Sequence, residues 1–392
     1  MRLVRVINRE LRRIAYRPRY LIILTLGIIL AFTIFATMTS EGQPKNLPIA
    51  VVDMDGTYLS RRVCHEINAT SGVQVYAVYN NHSEARKAMQ QGKIFAFYEI
   101  PKGTYNEVLQ FRAPHFVLYV NSAYMLAGTL SYKQLATMGM IAGAAVQREI
   151  YRKKGYGDDQ IMGLIQPVEF DTRNIGNAEI NYGSYMMTTL MPALIAFLTV
   201  LHTIYVIARE RQERSLRSWL NKANGNALIA LIGKAIPYTV WYILLCLIVN
   251  FIMFGPMGFL MEGSWMLMVL NTIMLIVAAQ CAGLFIGACI TDAPLAMSIG
   301  AIYSAMSFTF SGFSFPIEAM PKAYEVASWL YPIRQYFLNY TDIALFGNGF
   351  EHCWKHFAIL LLFLLMPIAG APLLAWQYKL DKKTHKLNTE AK

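Results

Sequence analysis

The sequence predicts a polytopic α-helical membrane protein of six transmembrane helices, with a mixed α/β extracytoplasmic domain inserted between helices 1 and 2. Three observations predict it. Of 392 residues, 55% are hydrophobic and only 15% charged, against about 25% charged in ordinary soluble domains. Several apolar runs reach roughly 20 residues, enough to cross a bilayer as helix. Threading those runs alternately puts every strongly basic stretch on one side, as the positive-inside rule requires. The net charge of +11 is therefore read as topology. No basic nucleic-acid-binding module is present, so nucleic acid is not an expected partner.

The N-terminal segment, residues 1–18, is expected to be an amphipathic helix on the membrane surface. Leu3, Ile7, Leu11 and Ile14 recur at helical spacing, arginines fill the other face, and Pro18 ends the segment. Residues 20–37 form the first span. A basic start and an apolar core also suit a signal peptide, but this core is too long and no A-x-A site follows. The span is read as an uncleaved anchor with a cytoplasmic N-terminus.

Residues 38–183 hold fourteen Lys/Arg and thirteen Asp/Glu, and form the outer domain. Residues 47–53, 73–79, 94–100 and 116–120 read as strands, with helices at 59–69 and 83–91 between them. Residues 123–150 are apolar and helical in pattern, but Lys133 and Gln134 interrupt them. Counting this stretch as a span would also move the basic loop 209–222 outside, so it is assigned to the outer domain.

Residues 184–208 are the second span, running inward. A cytoplasmic loop follows at 209–228, reading RERQERSLRSWL at its start. Spans are expected at 229–254, 264–290, 295–313 and 354–378, with a basic cytoplasmic tail at 379–392. Residues 314–350 are too long for a turn and too apolar for a solvated loop. Pro316, Pro321 and Pro332 interrupt them, which predicts short re-entrant or interfacial helices near the outer face.

Polar side chains inside spans are pathway candidates, and the set is Thr188, Asn250, Asn271 and Gln280, with Thr189 and His202 beside them. Interhelical hydrogen bonding is the plainer reading of each. Asn271 and Gln280, nine residues apart, fall on opposite faces of a helix. No span carries a charged residue near its centre, which argues against ion-coupled transport.

Asp53-Met54-Asp55-Gly56-Thr57 follows an apolar strand and matches the nucleophile loop of haloacid-dehalogenase-type phosphatases. Against that reading, the strand–helix order is taken not to supply the alternating sheet such an enzyme needs, and Asp and Gly after a strand are ordinary turn chemistry. The histidines show no ligand spacing, so no metal site is expected. The five cysteines form no CxxC and read as buried small residues, with a Cys64–Cys353 bridge left open. No GxxxxGK[ST] loop occurs, so the chain binds no ATP through one.

Taken together, these residues resemble ABC-2 type permeases, the membrane subunits of ABC exporters. VVDMDGTYLSRRV and SEARKAMQQGKIFAFYEIP resemble the family's extracytoplasmic domain. RERQERSLRSWL followed by IGKAIPY resembles its cytoplasmic loop, and FSGFSFPIEAMPKAYEVASWLYPIRQY its outer segment before the last span. Glu213-Arg214-Ser215 stands where members often end a Glu-Arg-Glu-x-Gly-Thr-type run. The resemblance implies an exporter subunit in a bacterial inner membrane, with both termini cytoplasmic. It also implies two partner ATPase subunits carrying ATP and Mg²⁺, a second permease (the same chain or a homologue) and a periplasmic adaptor as a further option. Glu210, Arg211, Glu213, Leu216, Trp219 and Leu220 would contact the ATPase, with the leucines and tryptophan seated in its groove. Phe313, Phe315, Pro316, Pro321, Tyr331 and Pro332 would shape an outer gate. Two other readings stay open: a membrane-anchored sensor or scaffold with a ligand-binding outer domain, and a membrane-tethered phosphatase using Asp53 and Asp55.

Overall fold

The computed structural model describes residues 2–110, 112, 114–166, 173–177 and 180–390, without the side chains of 149, 153 and 381–390. The basic tail residues Lys382, Lys383 and Lys386 lie outside the described side chains. The chain divides into two units, Met1–Ser40 with Asn174–Lys392, and Glu41–Arg173.

In chain order, α1 (Arg2–Tyr16) and α2 (Arg19–Met38) open the first unit. The second unit holds β1 (Leu47–Asp53), α3 (Tyr58–Asn68), β2 (Val73–Tyr79), α4 (His82–Gln90), β3 (Ala96–Ile100), α5 (Thr104–Leu109), β4 (Val117–Val120), α6 (Met125–Lys153) and α7 (Asp158–Ile165). The first unit resumes with α8 (Tyr182–Gln212), α9 (Leu216–Lys222), α10 (Ala227–Phe254), α11 (Trp265–Cys289) and α12 (Ala293–Thr309). It ends with α13 (Lys322–Ser328), α14 (Pro332–Tyr340), α15 (Phe350–Leu362) and α16 (Leu365–Glu390).

Among the described residues, five helical segments are long and apolar enough to cross a membrane: α2, α8, α10, α11 and the pair α15–α16. The fifth expected span, 295–313, is shorter than predicted. α12 has 17 residues and stops at Thr309, because the chain turns through Gly312 at φ +85°, a conformation glycine adopts without steric cost. The last span is two helices rather than one. The break at Phe363–Leu364 places Pro367 in the first turn of α16, where a missing N–H costs nothing.

α8 and α11 form the centre of the bundle. A Cβ built on Gly283 would lie 2.8 Å from Thr203 Cβ and 2.9 Å from the Val200 carbonyl, and one on Gly287 would lie 3.0 Å from Ile207 Cδ1. Gly283 and Gly287 thus make a small-residue stripe that lets the two backbones approach, the usual device where no hydrophobic drive separates helix from lipid.

The second unit is a four-stranded sheet in the order β2-β1-β3-β4. β1 runs parallel to β2 and β3, and β4 is antiparallel. Val63 and Ile67 of α3 and Leu135 of α6 cover one face, over Ile49 and Val51. Ala85 and Ala88 of α4 cover the other, over Ala50, Val52 and Phe97. β1 is buried on both faces, which explains its unbroken apolar run. One expectation is corrected: β1-α3-β2-α4-β3 is an alternating parallel arrangement, so strand order is no argument against the phosphatase reading.

Candidate coupling site

At one end of the first unit, α1, the end of α8, α9 and the start of α10 meet around buried charge. Val6 of α1 is fully buried and lies over Gly233, where a Cβ would come within 2.9 Å of the Val6 Cβ. This close approach puts Glu10, one turn further along α1, beside Lys234 of α10. Glu10, Glu210 and Lys234 are each 0% exposed. Lys234 Nζ lies 3.0 Å from Glu10 Oε1 and donates to Glu210 Oε1 at 2.7 Å. Arg9 donates to both oxygens of Glu210, at 2.8 and 2.9 Å, and to Glu10 at 2.7 Å. Arg13 also donates to Glu210, and Tyr238 donates to Glu10 Oε2 at 3.3 Å.

Buried pairs rarely add net stability, but removing one member strands a charge in low dielectric. The cluster therefore fixes α1, α8 and α10 relative to one another. Glu213 extends it outward, accepting from Arg13 at 2.5 Å, Arg17 at 3.2 Å and Arg209 at 2.7 Å. Partial burial pushes its carboxyl up, but the Arg209 hydrogen bond and the charges of Arg13, Arg209 and Arg17 outweigh this and hold it below the usual carboxylate range.

The turn after α8 explains the departure at Arg214. Ser215 N–H donates to the Glu210 carbonyl at 2.8 Å, and Arg214 takes φ +54°. This is a Schellman-type helix end whose left-handed residue is usually glycine. The Ser215 hydroxyl then donates back to Glu210 Oε2 at 2.5 Å.

The structure revises the expected roles in the loop. Leu216, Trp219 and Leu220 are buried within this chain, in a cluster with Val6, Ile207, Leu231 and Leu374. Trp219 is 0% exposed, and Lys234 Nζ sits 4.9 Å from its ring centroid, within cation–π range. The apolar edge of α9 packs inward because the chain supplies its own groove, so these three side chains are not free to enter a partner's. Arg211 also turns inward: it donates to the carbonyls of Ile290 and Ala288 and to Gln377 Oε1, at 2.9, 3.3 and 2.8 Å. It thereby caps the end of α11 and joins it to α16. The face left to solvent is polar: Gln212, Glu213, Arg214, Ser218, Asn221 and Lys222.

The six gate candidates divide. Phe313, Tyr331 and Pro332 are buried, while Phe315, Pro316 and Pro321 are exposed. Phe313 stacks on Tyr185 at 4.3 Å, and its carbonyl accepts from the Tyr185 hydroxyl at 2.7 Å. Tyr331 stacks on Phe310 at 5.3 Å. Pro316 and Pro321 precede a 3-10 turn (Ile317–Ala319) and α13, and Pro332 begins α14. This stretch is thus a 3-10 turn followed by two short helices.

Three of the pathway candidates are occupied as structural bonds. Asn271 donates to the Tyr336 carbonyl at 3.1 Å and accepts from Asn339 at 3.0 Å, which seats α14 on α11. Asn250 donates to Thr272 at 2.8 Å. Thr188 bonds the Ser184 carbonyl of its own helix at 2.8 Å. Gln280 is 2% exposed, and among the described residues its amide meets no polar partner. A separate apolar cavity of about 280 Å³ opens between α8 and α12, with Phe35, Phe197, Tyr303 and Ser304 on its walls.

Asp53 and Asp55 sit at the C-terminal end of β1, where an α/β sheet commonly binds ligands. Their oxygens are committed to the loop, to the start of α3 and to the segment that opens α5. Asp53 accepts from the Gly56 N–H at 2.8 Å and the Ser60 hydroxyl at 2.7 Å. Asp55 accepts from Thr57 at 2.7 Å and from the Gly103 N–H at 2.8 Å. Among the described residues, no group of three or more His, Cys, Asp or Glu could hold a metal ion. All five cysteines are free.

Sequence reasoning missed Glu10, Lys234, Gly233, Gly283 and Asn339. The signals were a lone acid among seven arginines, a lysine at the mouth of an apolar run, and a G-x-x-x-G spacing at 283–287. None of the curated proteins compared matches the chain. The family model described as ABC-2 family transporter protein matches residues 18–371, nearly the whole of both units, and the chain belongs to this family of membrane transporter components.

Proposed function

We propose that the chain is the permease subunit of an ATP-driven exporter in a bacterial inner membrane. It has six spans, α12 being the fifth, with both termini and α9 cytoplasmic and the second unit outside. Two separate ATPase subunits, of the kind that ABC-2 permeases normally work with, carry ATP and Mg²⁺. A second permease, the same chain or a homologue, completes the assembly.

The buried cluster carries this reading. Glu210 joins α1, α8 and α10 through Arg9, Arg13 and Lys234, so force applied at α9 reaches three helices at once. In this scheme the polar face of α9 and its flanks, with Arg214 and Lys222, meets the ATPase. Trp219 and Leu216 transmit the displacement inward. The spans then alternate between inward- and outward-open arrangements, and the α8–α12 cavity borders the path.

Affinity capture of the tagged chain from its native membranes tests the partner. A P-loop ATPase is expected to co-purify. Arg214→Glu plus Lys222→Glu is expected to lower its recovery about tenfold or more, since facing like charges is strongly unfavourable. Undiminished recovery would contradict the assigned face.

A further inference from the structure

The elbow between α1 and α2 forms one wall of a small cleft of about 30 Å³ beside the coupling cluster. Arg13, Arg17 and Arg209 line it, with Tyr20, Tyr205 and Leu21. No carboxylate lines it. Glu213 beside it is a single acid bonded by all three guanidiniums. Taken with the buried cluster, five cations (Arg9, Arg13, Arg17, Arg209, Lys234) meet three carboxylates (Glu10, Glu210, Glu213). Among the described residues, two positive charges are left without a carboxylate at the cleft end, and Arg17 is 63% exposed there.

The surroundings define what would neutralise them. The Tyr20 and Tyr205 rings lie 4.9 Å apart, with the Arg209 guanidinium 5.4 Å from the Tyr20 centroid. Tyrosines and arginines together mark the level where a membrane meets water. Just beyond, α2 turns an apolar face outward, with Ile22, Ile23 and Leu26 exposed. A ligand here needs a compact anionic group at the cleft mouth and an apolar body that continues along α2. A free anion has only the first, and a neutral lipid only the second.

We propose that the α1–α2 cleft binds the phosphate of an anionic phospholipid, with Arg17 and Arg209 as its principal contacts and its acyl chains along α2. Such basic clusters beside a span are the usual recognition site for acidic headgroups. The bound lipid holds the elbow against α8, so the position of α1 responds to the composition of its leaflet. This does not depend on which protein meets α9.

The test uses the full-length chain, delipidated in neutral detergent, without any ATPase. Phosphatidylglycerol, phosphatidylcholine or inorganic phosphate is titrated in, and bound lipid is read by native mass spectrometry alongside the thermal unfolding midpoint. Phosphatidylglycerol is expected to remain bound and raise the midpoint, and the other two are not. An arginine near an anionic surface contributes about fivefold in affinity. Arg17→Gln alone should therefore weaken binding about fivefold, and Arg17→Gln with Arg209→Gln about 25-fold. Arg17→Lys should retain most of it, and Lys222→Gln, of equal charge change elsewhere on the loop, should leave it unchanged. The single Arg17 variant alters a mostly exposed side chain, so it keeps the test decisive if the double variant misfolds. Equal retention of phosphatidylcholine would overturn the proposal, as would an equal loss with Lys222→Gln. Saturation by inorganic phosphate at the lipid's own concentration would assign the cleft to a free anion instead.

Discussion

Glu210→Gln is expected to destabilise the folded bundle by about 3–5 kcal/mol, the range for breaking a buried ion cluster from one side. The substitution keeps the side chain's shape but leaves Arg9 and Lys234 with Glu10 as their carboxylate partner and Arg13 with Glu213. The new amide also turns a donor toward one of those cations. Chemical unfolding in detergent measures the loss. Lys234→Met is expected to be strongly destabilising too, because Glu10 and Glu210 then share one buried site. In the double variant the two losses should add to less than their sum, by about 0.5–3 kcal/mol, as for residues in one network. Strict additivity would mean that the two groups do not sense each other.

Trp219→Ala is expected to cost about 3–5 kcal/mol, the range for deleting a fully buried large aromatic. The indole fills the space between α9, α10 and α1, and its face meets the Lys234 ammonium at 4.9 Å. Trp219→Phe keeps most of the apolar volume and a ring face, and should recover more than half of the loss. Thermal unfolding of the two variants in the same detergent separates packing from polar effects. If Trp219→Ala unfolds at the wild-type midpoint, the loop core described here is wrong.

The sequence was informative wherever one pattern had one physical cause. The apolar run at 47–53 and the alternation in 73–79 matched β1 and β2, because a strand covered on both faces is apolar throughout and one covered on a single face shows a period of two. The prolines at 316, 321 and 332 marked helix starts in the outer segment for the same reason. The loop 209–222 was legible as amphipathic but not in its direction. Leu216, Trp219 and Leu220 on one edge look alike whether the groove that receives them belongs to this chain or to another. What decided it was Gly233, whose missing side chain admits α1, together with a glutamate and a lysine 224 positions apart in sequence, Glu10 and Lys234. Long-range pairs of this kind leave no local period. Asn271 is a similar case: its partner Asn339 lies 68 residues away, so a structural amide and a pathway amide were indistinguishable in the sequence.

The most direct test asks which face of the loop touches the ATPase in the assembled transporter. Photo-crosslinking groups placed singly at positions 216, 218, 220 and 222 report this in native membranes. Ser218 and Lys222 are exposed, while Leu216 and Leu220 are buried. Adducts to the ATPase are expected from 218 and 222, and adducts within the chain, toward α1 or α10, from 216 and 220. ATPase adducts from 216 and 220 with none from 218 and 222 would contradict the account.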